Sequence, residues 1–240
     1  MRKISKMVRN LNVVLGLKKD LKLFLILCEN INRTRKIRNY FTGNEISKLH
    51  IGSDVSSLNG WLPSDISPQT KESIYLDATK RFPFNDNVFD YVYSEHMIEH
   101  IPRESGEVML NECFRVIKPG GSIRIATPDL AKIVDLYTNR NDSFGLDYIK
   151  WITDKFIEPH ADYNPLIVLN TMFRNWYHCF LYDEEFLTQS LMNAGFSEIK
   201  RYSINMSDDA NLQGIETHHL NVGNFEMVEF ETLILEAKKL

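Results

Sequence analysis

The chain has 240 residues, 43% of them apolar and 25% charged, with a formal net charge of -4. That balance excludes collagen, a coiled coil and an intrinsically disordered chain, and it fits one ordinary globular domain with a decorated end. The three cysteines, Cys28, Cys113 and Cys179, are odd in number and far apart, so they form neither a metal cluster nor a disulfide framework, and a cytoplasmic setting is expected.

The charge is unevenly spread. Residues 1–40 hold eleven Lys/Arg against Asp20 and Glu29, which leaves the remainder acidic and marks residues 1–45 as a basic helical extension with a role of its own. Its apolar run "LKLFLILCENI" is interrupted by Lys22 and is too short to span a bilayer. The start shows no cleavage-site pattern, so neither a signal peptide nor a transmembrane helix is expected. Two readings of the extension stand. It packs on the body or on a second copy, as a homodimer, or it makes peripheral membrane contact, with Lys/Arg on anionic head groups and Leu21, Phe24, Leu25 and Leu27 on acyl chains. Nucleic acid is not expected, because the basic residues lack interleaved aromatics and the body is acidic.

From Lys48 the pattern alternates. "KLHIGS", "GWLPSDI", "SIYLDA" and "FDYVYSE" each read as a short strand closed by Gly, Asp or Glu. Between Pro102 and Ile117, apolar residues recur at helical spacing until "KPGG" stops the helix. "SIRIATP" is a fifth strand, residues 130–190 read as largely helical and rich in aromatics with a stop at Gly195, and "EIKRYSI" and "EFETLILEAKK" follow as strands. Strands alternating with helices predict an α/β, Rossmann-like doubly wound sheet over residues 46–240, with the ligand beyond the strands' C-terminal ends.

"SEHMIEHIP" places His96, Glu99 and His100 in the order of an inverted zinc-peptidase signature. A peptidase needs both histidines on one helix and a further ligand from a second. Here His96 follows directly on the strand "FDYVYS", at a strand-to-helix turn, which is the wrong setting.

The run "LHIGSD", Asp65 and Asp77 at the ends of the next two strands, "FPFNDNVFDYVYSEHMIEH" and "RVIKPGGSIRIATPD" together resemble class I S-adenosylmethionine-dependent methyltransferases. Within them the chain is most similar to type-11-like bacterial enzymes found beside surface-polysaccharide genes, from about Lys48 to the end. The resemblance implies a seven-stranded sheet and S-adenosyl-L-methionine as cofactor. It assigns Gly52, Ser53 and Asp54 to the first turn, Asp65 with Ile66 to the ribose, Asp77 and Ala78 to the adenine, and Ser94 and Glu95 to the methionine half. Two positions depart from it: Ser53-Asp54 follows Gly52 where Gly-x-Gly is usual, and His50 replaces the usual acidic residue of strand one.

Methyl transfer to a hydroxyl needs positioning, a dry site and a base. His96 is the first candidate for the base and His100 the second, with Glu99 orienting one of them or capping the helix. The string is also similar to the Glu-x-x-Glu-His of quinone-type O-methyltransferases, where a metal has been proposed, but His96 replaces the first glutamate and no metal ligands are assigned. The acceptor is expected against Asp129, Arg174, Trp176, His178 and Tyr182, and the histidines 218 and 219 are expected on the surface. The leading expectation is an O-methyltransferase acting on a glycan or small-molecule acceptor, a sugar hydroxyl in surface-glycan assembly. The alternatives are a catalytically silent cofactor-binding or scaffold module, and an enzyme for a small aromatic or lipid-linked metabolite.

Overall fold

A computed structural model describes residues 32–139, 142–157 and 162–240. By internal contacts the chain divides into Met1–Glu45 and Ile46–Leu240. In the first unit, residues 32–43 form helix α1, closed where the Asn44 side-chain Nδ2 donates to the Tyr40 carbonyl at 2.8 Å. The apolar residues expected to meet lipid, Leu21 to Leu27, lie outside the described residues. Among those that are described, no helix is long and apolar enough to cross a membrane.

The second unit is built on seven strands: β1 (Lys48–Ile51), β2 (Trp61–Asp65), β3 (Ile74–Tyr75), β4 (Phe89–Glu95), β5 (Ile117–Pro128), β6 (Ser197–Tyr202) and β7 (Thr232–Lys238). Their order in the sheet is β3-β2-β1-β4-β5-β7-β6. The first five run parallel, and β7 is antiparallel to both of its neighbours. This is the doubly wound α/β fold expected, and its order reverses at β1, which pairs with β2 on one side and β4 on the other. The crevice beyond the C-terminal ends of β1 and β4 is where such sheets bind ligands.

The central strands are buried on both faces, as parallel strands between helices must be. Leu49, Ile51, Val92, Tyr93, Ile123 and Ile125 have 1% exposure or less. Between Phe89 and Glu95 the chain therefore reads as a nearly continuous apolar run ended by a carboxylate. Helix α2 (Arg103–Val116) buries Gly106, Met109, Leu110, Cys113 and Val116, one face at the helical period. Next come α3 (Leu130–Thr138), α4 (Ser143–Ile152), a single π turn (Thr153–Ile157), α5 (Pro165–Arg174), α6 (Glu184–Asn193), α7 (His218–Val222) and α8 (Phe225–Glu231). Side chains of Asp129, Asp142, Asn164, Asp183 and Asn224 accept from the first turns of α3, α4, α5, α6 and α8, which supplies the acceptors that helix starts lack. Gly195 ends the last turn of α6 at φ +107°, as expected of that glycine.

Three expectations about the elements are corrected. The stretch after Arg174 is not helical: Trp176 and Tyr177 are both left-handed, at φ +55° and +64°, and the amides of Cys179 and Phe180 donate instead to the Glu99 carbonyl, at 2.7 and 3.2 Å. Glu229 to Glu231 finish α8 rather than open the last strand, because the Asn224 cap starts a helix there. "KPGG" lies within β5 rather than before it, since Gly120 and Gly121 exchange backbone bonds with Lys239.

Candidate active site

A cavity of about 350 Å³ opens at the switch point between β1 and β4, within the range of small-ligand sites. Its β1 wall is His50, Gly52, Ser53 and Asp54. His50 is 2% exposed, and burial pushes its pKa down to about 4, so at neutral pH the imidazole is uncharged. Its ring leans on Tyr93 with centroids 4.9 Å apart, and its Nδ1 is buried without a hydrogen-bond partner. Gly52 stands at φ +72°, and a Cβ there would run into the Met97 side chain. The glycine thus makes room for the β4 turn as well as for the conformation itself.

The β4 wall begins at Ser94, 1% exposed with an unpartnered Oγ. The Glu95 carboxylate accepts from the amides of Thr217 and His218 and from the Thr217 hydroxyl, at 3.0–3.1 Å. It thereby docks the start of α7 over the site. His96 follows at φ +45°, its amide bonded to the Ala126 carbonyl at 2.9 Å. A left-handed conformation at a non-glycine residue is strained and is found at functional turns more than elsewhere. The His96 ring stacks on His218, centroids 3.9 Å apart, its Nδ1 lies 3.3 Å from Glu99 Oε1, and its Nε2 is buried without a partner.

Charges around this ring set its protonation. Burial alone would lower the His96 pKa, but the adjoining Glu99 carboxylate and the fields of Glu231 and Glu95 outweigh it and raise it. Burial also works against an ionised Glu99, yet His96 and His100 hold its carboxyl below the usual range. Glu231, buried beside them and accepting from the Tyr148 hydroxyl, is pushed up by burial. His218 is driven down to about 3 by burial and by His96 and is a neutral stacking partner. This corrects its expected place on the surface, since it lines the cavity.

The remaining wall is aromatic. Trp151, Phe156 and Trp176 form an edge-to-face chain with centroids 5.6 and 6.0 Å apart, and Trp176 is followed by His178 at 5.7 Å. Phe156 belongs to the π turn, a local widening that often marks functional sites.

Of the residues expected at the site, the cavity gathers Gly52, Ser53, Asp54, Glu95, His96, His100, Trp176 and His178. Ser94 is buried just behind them. The expected adenosine residues stand outside it, at the ends of β2 and β3. Asp65 accepts from the Asp54 amide at 3.2 Å and the Ser67 amide at 2.7 Å, stitching the β1 turn to β2, and Ile66 is 62% exposed. Asp77 accepts from Thr79 and pairs with Lys80 at 2.6 Å, with Ala78 buried beside it. Three of the expected acceptor residues are not brought to the cavity. Asp129 is 1% exposed, caps α3 and pairs with Arg201 at 2.9 Å. Tyr182 is equally buried, bridges Asp129 and has its phenol pushed up to about 12 by burial. Arg174 is exposed at the end of α5.

Residues 61–125, from β2 into β5, match the family model described as a methyltransferase domain. No curated protein matches the chain. Among solved structures, an S-adenosylmethionine-dependent methyltransferase of Archaeoglobus fulgidus is 18% identical, covering 89% of this chain and 93% of its own at a TM-score of 0.46. One from Thermotoga maritima is 16% identical, covering 82% and 83%, also at 0.46. At these values the likenesses bear on neither substrate nor activity. The cofactor of such a domain is S-adenosylmethionine, and the orphaned atoms of His50 and Ser53, which line the cavity, fit its methionine half: a neutral imidazole nitrogen to accept from an ammonium, and a hydroxyl to donate to a carboxylate.

Proposed function

We propose that the protein is an S-adenosylmethionine-dependent O-methyltransferase whose acceptor is a hydroxyl of a sugar or related group, working in surface-glycan assembly. The observation that carries this reading is His96, a buried imidazole at the β4 turn with Nδ1 against Glu99 and Nε2 without a partner. With Nδ1–H directed at the carboxylate, the lone pair sits on Nε2. An acceptor hydroxyl placed there gives its proton to Nε2 as its oxygen becomes nucleophilic. Bound S-adenosylmethionine supplies an electrophilic methyl group on a sulfonium.

The other residues position and exclude. His50 and Ser53, with the main chain of Ser94 and Glu95, hold the methionine end, Asp65 the ribose and Asp77 with Ala78 the adenine edge. The Trp176 ring offers a stacking face to a sugar ring, with His178 beside it. The α7 segment held by Glu95 covers the site against water, which strengthens every polar interaction inside. The glycan setting comes from the sequence resemblance.

Calorimetric titration with S-adenosylmethionine and S-adenosylhomocysteine, repeated on Asp65→Ala, tests the cofactor. Micromolar binding that weakens in the variant supports the reading. Absence of binding by the folded protein overturns it in favour of a silent scaffold. Transfer of a labelled methyl group to nucleotide-sugars then tests the acceptor, and full transfer by His96→Ala would remove His96 as base.

A further inference from the structure

His100 and His178 take no part in the proton transfer described above, yet both converge on Glu99. One ligand-type atom from each of the three lies within 4.8 Å of the others. Glu99 and His100 are neighbours on the short turn after β4, in the 3-10 helix Ile98–His100. His178 arrives from the irregular stretch after α5, drawn in by the two backbone bonds from Cys179 and Phe180 to the Glu99 carbonyl.

Two independent features point to a cation here. Glu99 has no exposed surface. Its Oε2 accepts from the Thr127 hydroxyl at 2.9 Å, while the buried Oε1 has only the His96 Nδ1, at 3.3 Å and without the geometry of a full hydrogen bond. A fully buried carboxylate oxygen with one poorly aligned donor is under-satisfied, and a cation would complete it. The second feature is the Nδ1 of His178, 2.6 Å from the Met172 carbonyl. Donating there fixes the tautomer that leaves the Nε2 lone pair for a ligand, the outer-shell arrangement that metal-bound histidines use.

We infer that Glu99, His100 and His178 form a binding site for a divalent metal ion of the zinc type. Two imidazoles and one carboxylate suit a borderline ion, whereas magnesium and calcium favour all-oxygen sets. Bonds of about 2.1 Å in a tetrahedral arrangement place ligand atoms about 3.4 Å apart. His100 Nε2 already stands 4.0 Å from Glu99 Oε1, and the His100 side chain, 35% exposed, has room to turn inward. Three protein ligands leave the fourth position open towards the cavity, for water or an oxygen of the acceptor.

The ligand set is not the one the linear string suggests. His96 completes the string with Glu99 and His100, but its ring is stacked on His218. The second imidazole comes instead from His178, 79 residues beyond Glu99 in the numbering and placed by the fold. The site does not depend on the methyltransferase reading, and metal binding is measured without cofactor or acceptor.

The test strips the full-length protein with a chelator, then titrates Zn2+ against a chromophoric competitor, with Co2+ absorption as a second readout. The expected result is one equivalent bound, with visible bands of a four-coordinate cobalt site. Binding should weaken more than about a hundredfold in both His178→Ala and His100→Ala, and persist in His96→Ala. Circular dichroism melting establishes that each variant is folded, and if one alanine variant does not fold, the other decides. No stoichiometric binding by the folded wild type overturns the site, as does binding that survives His178→Ala or His100→Ala. So does loss in His96→Ala with retention in His178→Ala, which would return the metal to the linear string.

Discussion

His50 gives the sharpest test of the electrostatics of the sheet. It is 2% exposed in β1, and burial lowers its pKa from 6.5 to about 4. The unfolded chain therefore takes up a proton as the pH falls through 6.5, while the folded protein does not until near 4. Stability is at its full value above 6.5 and is lost as the pH falls from there towards 4. Linkage between these two values predicts a loss of about 2 kcal/mol at pH 5 relative to pH 8. Carboxylates add losses of their own at acid pH, and His218, also held neutral, acts in the same direction. The comparison is therefore with His50→Gln, which retains these groups and removes one titrating ring. Urea unfolding of both proteins from pH 8 to pH 5 should show the wild type losing about 2 kcal/mol more than the variant. Equal losses would refute the claim that a neutral imidazole occupies this position, and with it the acceptor offered to the cofactor's ammonium group.

Three further substitutions probe the frame of the site. Arg124 has no exposed surface and holds Glu216 at 2.5 Å and also Glu236. Arg124→Leu strands two carboxylates in the interior and should destabilise by about 3–5 kcal/mol, so an unchanged melting temperature would contradict the buried network. Gly106→Ala improves helix propensity by about 1 kcal/mol, but the new methyl meets the hydroxyl of fully buried Tyr182. A net loss of about 1–3 kcal/mol is expected, and a stabilised variant would show that Tyr182 yields. Glu95→Gln keeps the size and removes the charge that binds Thr217 and His218. Amide exchange at these two positions should accelerate about tenfold for the loss of charge assistance, and unaltered rates would mean that α7 is held by other contacts.

How much of this was legible in the sequence follows from the range of the forces involved. The strands could be read because burial on both faces produces apolar runs, and the residues that close them, Gly52, Asp65 and Glu95, stand where the chain leaves the sheet. The turn at His96 could be read for the same reason. The stretch from Asn175 to Asp183 could not, since its aromatic spacing looks helical and its real conformation is set by the Glu99 carbonyl. His218 was equally hidden: its place over His96 depends on a carboxylate 123 positions away, and no local signal marks it. Asp129 could not be placed because a polar residue just past a strand end has the same appearance whether it faces the ligand or caps the next helix, and Tyr182 because its burial against Asp129 is set by the fold. His50, by contrast, left a trace, as a histidine inside the apolar run "KLHI" has to be either neutral or paired.

The place of β7 in the sheet bears on how the chain is made. It is the last strand in chain order, yet it lies between β5 and β6 and pairs with both. On the ribosome, the first five strands emerge with the edge of β5 bare, and Arg124 on that strand is without Glu236, which β7 contributes. An uncovered edge strand is a template for pairing with other chains, and this one stays uncovered until residues 232–238 have left the exit tunnel. The central sheet therefore stays open at β5 until β7 has been made, and a pause between residues 128 and 232 leaves that edge exposed.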